Sequence, residues 1–279
     1  MNLTTFVSLK EVRARLRVAF PKPRFSSKAE IVAEPQTKNY GMIGTAFDYL
    51  LRFYVEAHND SSKVITKPWV AEYSISILRE SKYEDLLTKI EKTLESARSI
   101  YSDYLKSKEV TNDLIETSIN LAKLDLIYRI GYVEPLTTPI PSDVQDLANL
   151  MTAIPSDMFA VSDIGVLNPT FGEGSKLVGG ADCDLFIDGT LIDIKTSKYC
   201  KFERDYFNQL IGYYLLSQFG GISGVESPEI HTISIYFSRY GLLGSYPIEI
   251  ISEAPSYQET YEWFIAKAKA VNPLYTLEP

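Results

Sequence analysis

Hydrophobic positions along the chain fall into two regimes. From Ser8 to Thr152, apolar residues recur at the three- and four-residue spacing of helices that bury one face. Ser8 to Phe20 reads as one helix stopped by Pro21-Lys22-Pro23. A second begins near Gly41, with Phe47, Leu50, Leu51, Tyr54 and Val55 on its apolar stripe. Segments 82–107 and 111–132 predict two long amphipathic helices, and Asp143 to Thr152 a shorter one ahead of Pro155. Residues 60–154 are therefore expected to be largely helical. After Pro155 the chain favours β-branched and aromatic residues between turn signals, and segments 159–171, 176–187, 189–197 and 229–252 read as strands. Helical spacing returns over 201–219 and 256–271.

This order predicts an α/β fold: a mixed β-sheet core flanked by helices, with a helical subdomain. No linker-like break occurs near residue 155, so residues 1–279 are expected to form one domain. Within it, residues 1–59 hold a basic arm and a first helix, 60–154 the helical subdomain, and 155–279 the sheet core.

The carboxylates of the third and fourth strand segments change the picture. Asp188-Gly189 between apolar strands is a strong hairpin signal, because both central residues of a type I′ turn need positive φ. A two-residue loop fixes the register: Ile187 faces Thr190, Phe186 faces Leu191, Asp184 faces Asp193, and Asp182 faces Lys195. Alternation then puts Cys183, Leu185, Ile187, Ile192 and Ile194 on one face, expected to be core. Asp182, Asp184, Asp193 and Lys195 share the other face, with Phe186 and Leu191 near the turn. Carboxylates directly opposite one another repel unless something compensates. Lys195 offsets part of that repulsion. A divalent cation would offset more, and Mg²⁺ typically takes one or two carboxylates together with phosphate oxygens.

Charge and composition narrow the chemistry. The chain carries −8 overall, which argues against coating nucleic acid through bulk charge. The first 28 residues nevertheless carry +6, leaving −14 on the remainder. Arg13, Arg17, Lys22 and Arg24 are thus candidate phosphate contacts, or else the solvated face of an amphipathic helix. Only two cysteines occur, Cys183 and Cys200, which excludes a disulfide scaffold, a four-cysteine zinc site and an iron–sulfur cluster, and fits the cytoplasm. No run of 18 apolar residues predicts a membrane span, and the N-terminus lacks the order of a secretory signal. His58 and His231, the only histidines, lie in no motif, so a Ser-His-Asp triad has no support. Nor is there a Walker-type glycine loop.

Taken together, "GGADCDLF" and "LIDIKTS" resemble the core of the PD-(D/E)xK nuclease superfamily, an acidic residue on one strand followed by acidic-x-Lys on the next. The acidic-x-Lys element is Asp193-Ile194-Lys195. Gln209 and Tyr213 match the Gln-x-x-x-Tyr helix of the RecB-like branch, and residues four apart share one helical face. Gly44 and Asp48 stand where that branch has Gly-x-x-x-His, with aspartate replacing the histidine ligand; its oxygen still suits Mg²⁺ or Mn²⁺. The resemblance covers roughly residues 40–55 and 165–250. It implies a restriction-endonuclease-like fold and a Mg²⁺- or Mn²⁺-dependent deoxyribonuclease, RecB-like and exonucleolytic, acting on DNA ends or single strands. Asp48, Asp184, Asp193 and the Ile194 carbonyl would hold the metal, with Asp182 the alternative first-strand ligand. Lys195 would position water and stabilise the phosphate, with Gln209 and Tyr213 orienting it. The alternative is a catalytically inactive nucleic-acid-binding or assembly module of the same fold. Protein partners or a homo-oligomer are compatible with either.

Overall fold

In the computed structural model, residues 1–79, 84–131 and 136–272 are described. Their helices are α1 (Leu3–Ser8), α2 (Lys10–Ala19), α3 (Tyr40–His58), α4 (Ser74–Arg79), α5 (Glu84–Ser107), α6 (Asn112–Ile130), α7 (Pro141–Thr152), α8 (Glu173–Leu177), α9 (Arg204–Gly220), α10 (Glu249–Ser252) and α11 (Tyr257–Val271). The strands are β1 (Val64–Ile65), β2 (Gly165–Leu167), β3 (Leu185–Ile187), β4 (Thr190–Lys195), β5 (Thr232–Phe237) and β6 (Leu242–Pro247). They form one mixed sheet in the order β1-β2-β3-β4-β5-β6. β1 runs parallel to β2 and β4 parallel to β5; the other neighbours are antiparallel. A parallel pair needs a long crossover, and α9 lies within the one joining β4 to β5. The architecture is thus mixed α/β.

Both faces of the sheet are covered, which sets where charge can go. Leu185, Ile187, Ile192 and Tyr236 pack with Phe47, Leu50 and Leu124 of the helical layer built from α3, α5, α6 and α7. Phe186, Leu191, Ile233, Ile235 and Phe237 pack with Leu210, Ile211 and Leu215 of α9 and with Phe6, Leu16 and Phe264 of α1, α2 and α11. Each large side chain withdrawn from water stabilises the fold by about 1.5–3 kcal/mol. The predicted apolar face of β3 and β4 therefore meets the helical layer, while Phe186 and Leu191 are core on the opposite face. Cys183 departs from the expected alternation: it precedes β3 and packs on the α9 side.

The hairpin forms with the predicted pairs Ile187↔Thr190 and Phe186↔Leu191. Asp188 has φ 44° and Gly189 φ 81°, the positive values the two-residue turn demands. A side chain at Gly189 would also strike the His231 ring. The Asp188 carboxylate caps the adjoining loop, accepting from the amides of Ser162, Asp163 and Ile164 at 2.7–2.9 Å.

Several expectations are corrected. The first expected helix is α2, starting at Lys10 rather than Ser8, and an additional helix, α1, precedes it; Leu9 separates them, its extended ψ of 134° continuing neither. The strand expected over 176–187 is confined to β3, because Lys176 and Leu177 belong to α8. Likewise 159–171 yields only β2, and the end of 229–252 becomes α10. β1, a two-residue strand inside the helical region, has too little sequence for any period to register. The expected helical positions Lys82, Tyr83 and Tyr132 lie outside the described residues.

A buried ion pair ties distant segments together. Arg239, following β5, meets Asp146 of α7 through two contacts of 2.7 and 3.2 Å, both side chains fully buried. Arg239 also donates to the Ala33 carbonyl, and Asp146 accepts from the Gln36 amide at 3.1 Å. The segment between α2 and α3 is thereby pinned to α7 of the helical layer and to the end of β5 in the sheet.

Candidate functional site

A cleft of about 830 Å³ opens where the β3–β4 ladder stops. The ladder ends at Leu185↔Ile192, although β4 continues to Lys195. In a continued antiparallel ladder, Ile194 would donate its amide to Cys183. Here the Asp184 carboxylate takes that amide through Oδ2 at 2.5 Å. One aspartate thus ends the strand pairing and lines the cleft. Asp182 does not face Lys195, as the extended register predicted. It bridges Thr170 instead, and its carboxylate receives Arg129 at 3.1 Å.

Alternation along β4 puts Asp193 and Lys195 on the Leu191 face, under α9. Asp193 is 1% exposed, and its Oδ2 lies 2.5 Å from Lys195 Nζ. Lys195 donates to Gln209 Oε1 at 3.1 Å, and Gln209 Nε2 donates to the Tyr213 hydroxyl at 2.6 Å. Gln209 and Tyr213 are one turn apart on α9, so a single helical face delivers both groups. The resulting line, Asp193–Lys195–Gln209–Tyr213, fixes the direction of the ammonium.

Across the cleft, α3 supplies Asp48 and α6 supplies Asp125 and Arg129. Asp48 Oδ2 is held by Arg52 at 2.6 Å, leaving Oδ1 buried without a hydrogen bond. Arg52 is itself buried and lies 4.4 Å from the Tyr49 ring centroid. Arg129 approaches Asp125 at 3.4 Å while spanning to Asp182. Asp48–Arg52 and Asp125–Arg129 are both Asp-to-Arg pairs four residues apart. That repeated spacing was the signal available in the sequence for Arg52, Asp125 and Arg129, none of which was among the candidates.

The electrostatics follow from burial and crowding. Burial, then the charges of Asp193 and Asp48, pushes the Asp184 carboxyl well above the ordinary range. Burial also raises Asp48, with Arg52 and Arg129 opposing it. Burial raises Asp125 to about 6 against the pull of Arg129 and Arg52. For Lys195, burial alone would lower the pKa, but Asp193 and Asp184 more than reverse this and hold it charged.

These residues fit a hard divalent cation. Asp48 Oδ1 is buried without a hydrogen bond, Asp193 Oδ2 is met by the Lys195 ammonium, and all the donors are carboxylate or carbonyl oxygens. Ile194, whose carbonyl was the expected additional ligand, lines the same cleft. Among the described residues, no three His, Cys, Asp or Glu side chains stand within ion-holding distance of one another.

The cleft thus brings together Asp48, Asp182, Asp184, Asp193, Ile194, Lys195, Gln209 and Tyr213. It does not bring in Arg13, Arg17, Lys22 or Arg24. Arg13 pairs with Asp205, Lys22 donates to the Phe202 carbonyl, and Arg17 and Arg24 are exposed. Arg13 and Arg17 lie near Arg204, at the start of α9 and outside the cleft. No known family model, characterised protein or solved structure matches the chain.

Among the described residues, no helix is long and apolar enough to cross a membrane.

Proposed function

We propose that the protein is a divalent-metal-dependent nuclease of the PD-(D/E)xK superfamily, RecB-like, hydrolysing DNA phosphodiester bonds at ends or in single strands. The observation that carries this is the line Asp193–Lys195–Gln209–Tyr213 beside Asp184 and opposite Asp48 in one open cleft. A purely structural ion pair has no need of a glutamine and a tyrosine to aim its lysine into solvent-accessible space.

Asp48, Asp184, Asp193 and the Ile194 carbonyl would hold Mg²⁺ or Mn²⁺. When bound, the cation supplies neutralisation of the phosphate and of the charge that develops on it. Lys195 orients the attacking water and donates to the oxygens that gain charge in the transition state. Gln209 keeps the ammonium from rotating away, and Tyr213 holds Gln209. Water oxygen bonds to phosphorus, the bond to the leaving sugar oxygen breaks, and that oxygen takes a proton. Arg129 keeps Asp182 at the rim, so Asp184 is the first-strand ligand in this scheme.

A second reading, a non-catalytic nucleic-acid-binding module, is favoured by one feature: Arg52 and Arg129 already engage Asp48 and Asp182. Incubation with Mg²⁺ or Mn²⁺ and end-labelled linear, circular and single-stranded DNA separates the two. Metal-dependent cleavage is the expected result. Retained DNA binding with every substrate left intact would favour the second reading.

A further inference from the structure

The mouth of the cleft carries a feature that phosphate chemistry does not use. Tyr73 and Tyr128 both line it, with ring centroids 5.3 Å apart and planes tilted by 38°. They are 45% and 46% exposed, although packing either ring in the core would stabilise the fold. Both are set on firm supports. Tyr73 ends the 3-10 turn Val70–Tyr73, and the Ala71 amide in that turn is held by the Tyr49 hydroxyl at 3.0 Å. Tyr49 also reaches Asp125, on the helix that carries Tyr128. Lys67 and Arg129 line the same mouth as the two rings.

We propose that Tyr73 and Tyr128 form a stacking platform for an unpaired nucleobase, which makes single-stranded nucleic acid the substrate class of the cleft. The proposal rests on the nuclease activity proposed above. A strand entering this cleft approaches a floor rich in carboxylates on a protein of net charge −8, so backbone attraction is a poor source of affinity. Stacking through an uncharged ring face does not suffer that repulsion, and it tolerates any base. In a duplex the base faces are hidden in the stack, so only single strands or frayed ends present what the platform takes. Arg129 and Lys67 lie where flanking phosphates of the stacked nucleotide would pass.

The test is fluorescence anisotropy of the full chain in Ca²⁺ with a short oligothymidylate, an abasic strand of equal length and charge, and a duplex. The oligothymidylate is expected to bind roughly five- to a hundredfold more tightly than the abasic strand. Tyr73→Ala with Tyr128→Ala should erase that ratio, and the paired phenylalanine substitutions should keep it. Since both rings are exposed, circular dichroism should be unchanged in all variants. Equal affinity of the wild-type chain for thymidylate and abasic strands would overturn the proposal, as would a ratio that survives the double alanine variant. Cleavage in Mg²⁺ is scored separately. A base-dependent preference without cleavage removes the catalytic activity and leaves the platform; cleavage without the preference does the reverse.

Discussion

At the scale of single residues, the fold opposes the ionisation of three cleft carboxylates, Asp48, Asp125 and Asp184. Burial, Asp193 and Asp48 lift Asp184 well above its ordinary value of 3.8. Its folded pKa therefore exceeds its unfolded one. Without a cation, its contribution to stability is full below the unfolded pKa and is lost as pH rises through the folded value. A divalent cation needs the carboxylate and competes with that proton. Saturating Mn²⁺ should then raise the melting temperature by about 5–10 °C at alkaline pH, and the shift should shrink as pH falls. Asp184→Asn should raise the melting temperature in EDTA at neutral pH while removing the Mn²⁺ response. Differential scanning fluorimetry across pH checks both, and a cation shift that grows toward acid pH would contradict the assignment. Asp184 was legible as the favoured candidate from its predicted place opposite Asp193, with Asp182, predicted opposite Lys195, as the alternative. Only the early end of the β3–β4 ladder separates them, one carboxylate turned inward and the other taken by Arg129 at the rim.

At the scale of elements, the β3–β4 hairpin was readable because its determinants are local: a two-residue Asp-Gly turn and strict alternation around it. The Asp188 carboxylate adds a role that spacing does not reveal, because the amides it caps lie more than 20 residues away. Asp188→Ala should destabilise the protein by about 2–4 kcal/mol, from the lost charge-assisted bonds and the strained positive φ. Asp188→Gly relieves the strain without restoring the bonds, so it should recover only part of the loss in urea denaturation. Equal stability of alanine and glycine variants would show that the turn backbone contributes nothing. The helical side of the site was less legible. Asp48 could be found from its place after Gly44, whereas Arg52 and Arg129 act through pairs that look like ordinary surface i, i+4 salt bridges in sequence. What distinguishes them is the burial of Arg52 and Asp125 and the cleft they face, both tertiary properties.

At the scale of the whole molecule, a helical layer and an α9 layer enclose one sheet, and the cleft exists because both reach the open end of the β3–β4 ladder. The α/β class could be read from the change of period near Pro155, since period depends only on which face is buried. Alternation separated Phe186 and Leu191 from Leu185, Ile187 and Ile192, but did not reveal that their face is a second core, because it also carries the charged residues of the hairpin. Arg239–Asp146 locks this arrangement from outside the cleft lining. Removing one partner strands the other charge in the interior, so Arg239→Met should cost about 3–5 kcal/mol, read as a lower urea midpoint. Replacing both partners with apolar residues should recover much of that loss. The central claim is hydrolysis aimed by Lys195, and its most direct test is the cleavage rate of single-stranded DNA in Mn²⁺ by wild-type chain and by Lys195→Ala. A fall of roughly 10²–10⁴-fold, with melting behaviour and DNA binding retained, is the predicted result. An unchanged rate in Lys195→Ala would contradict the account.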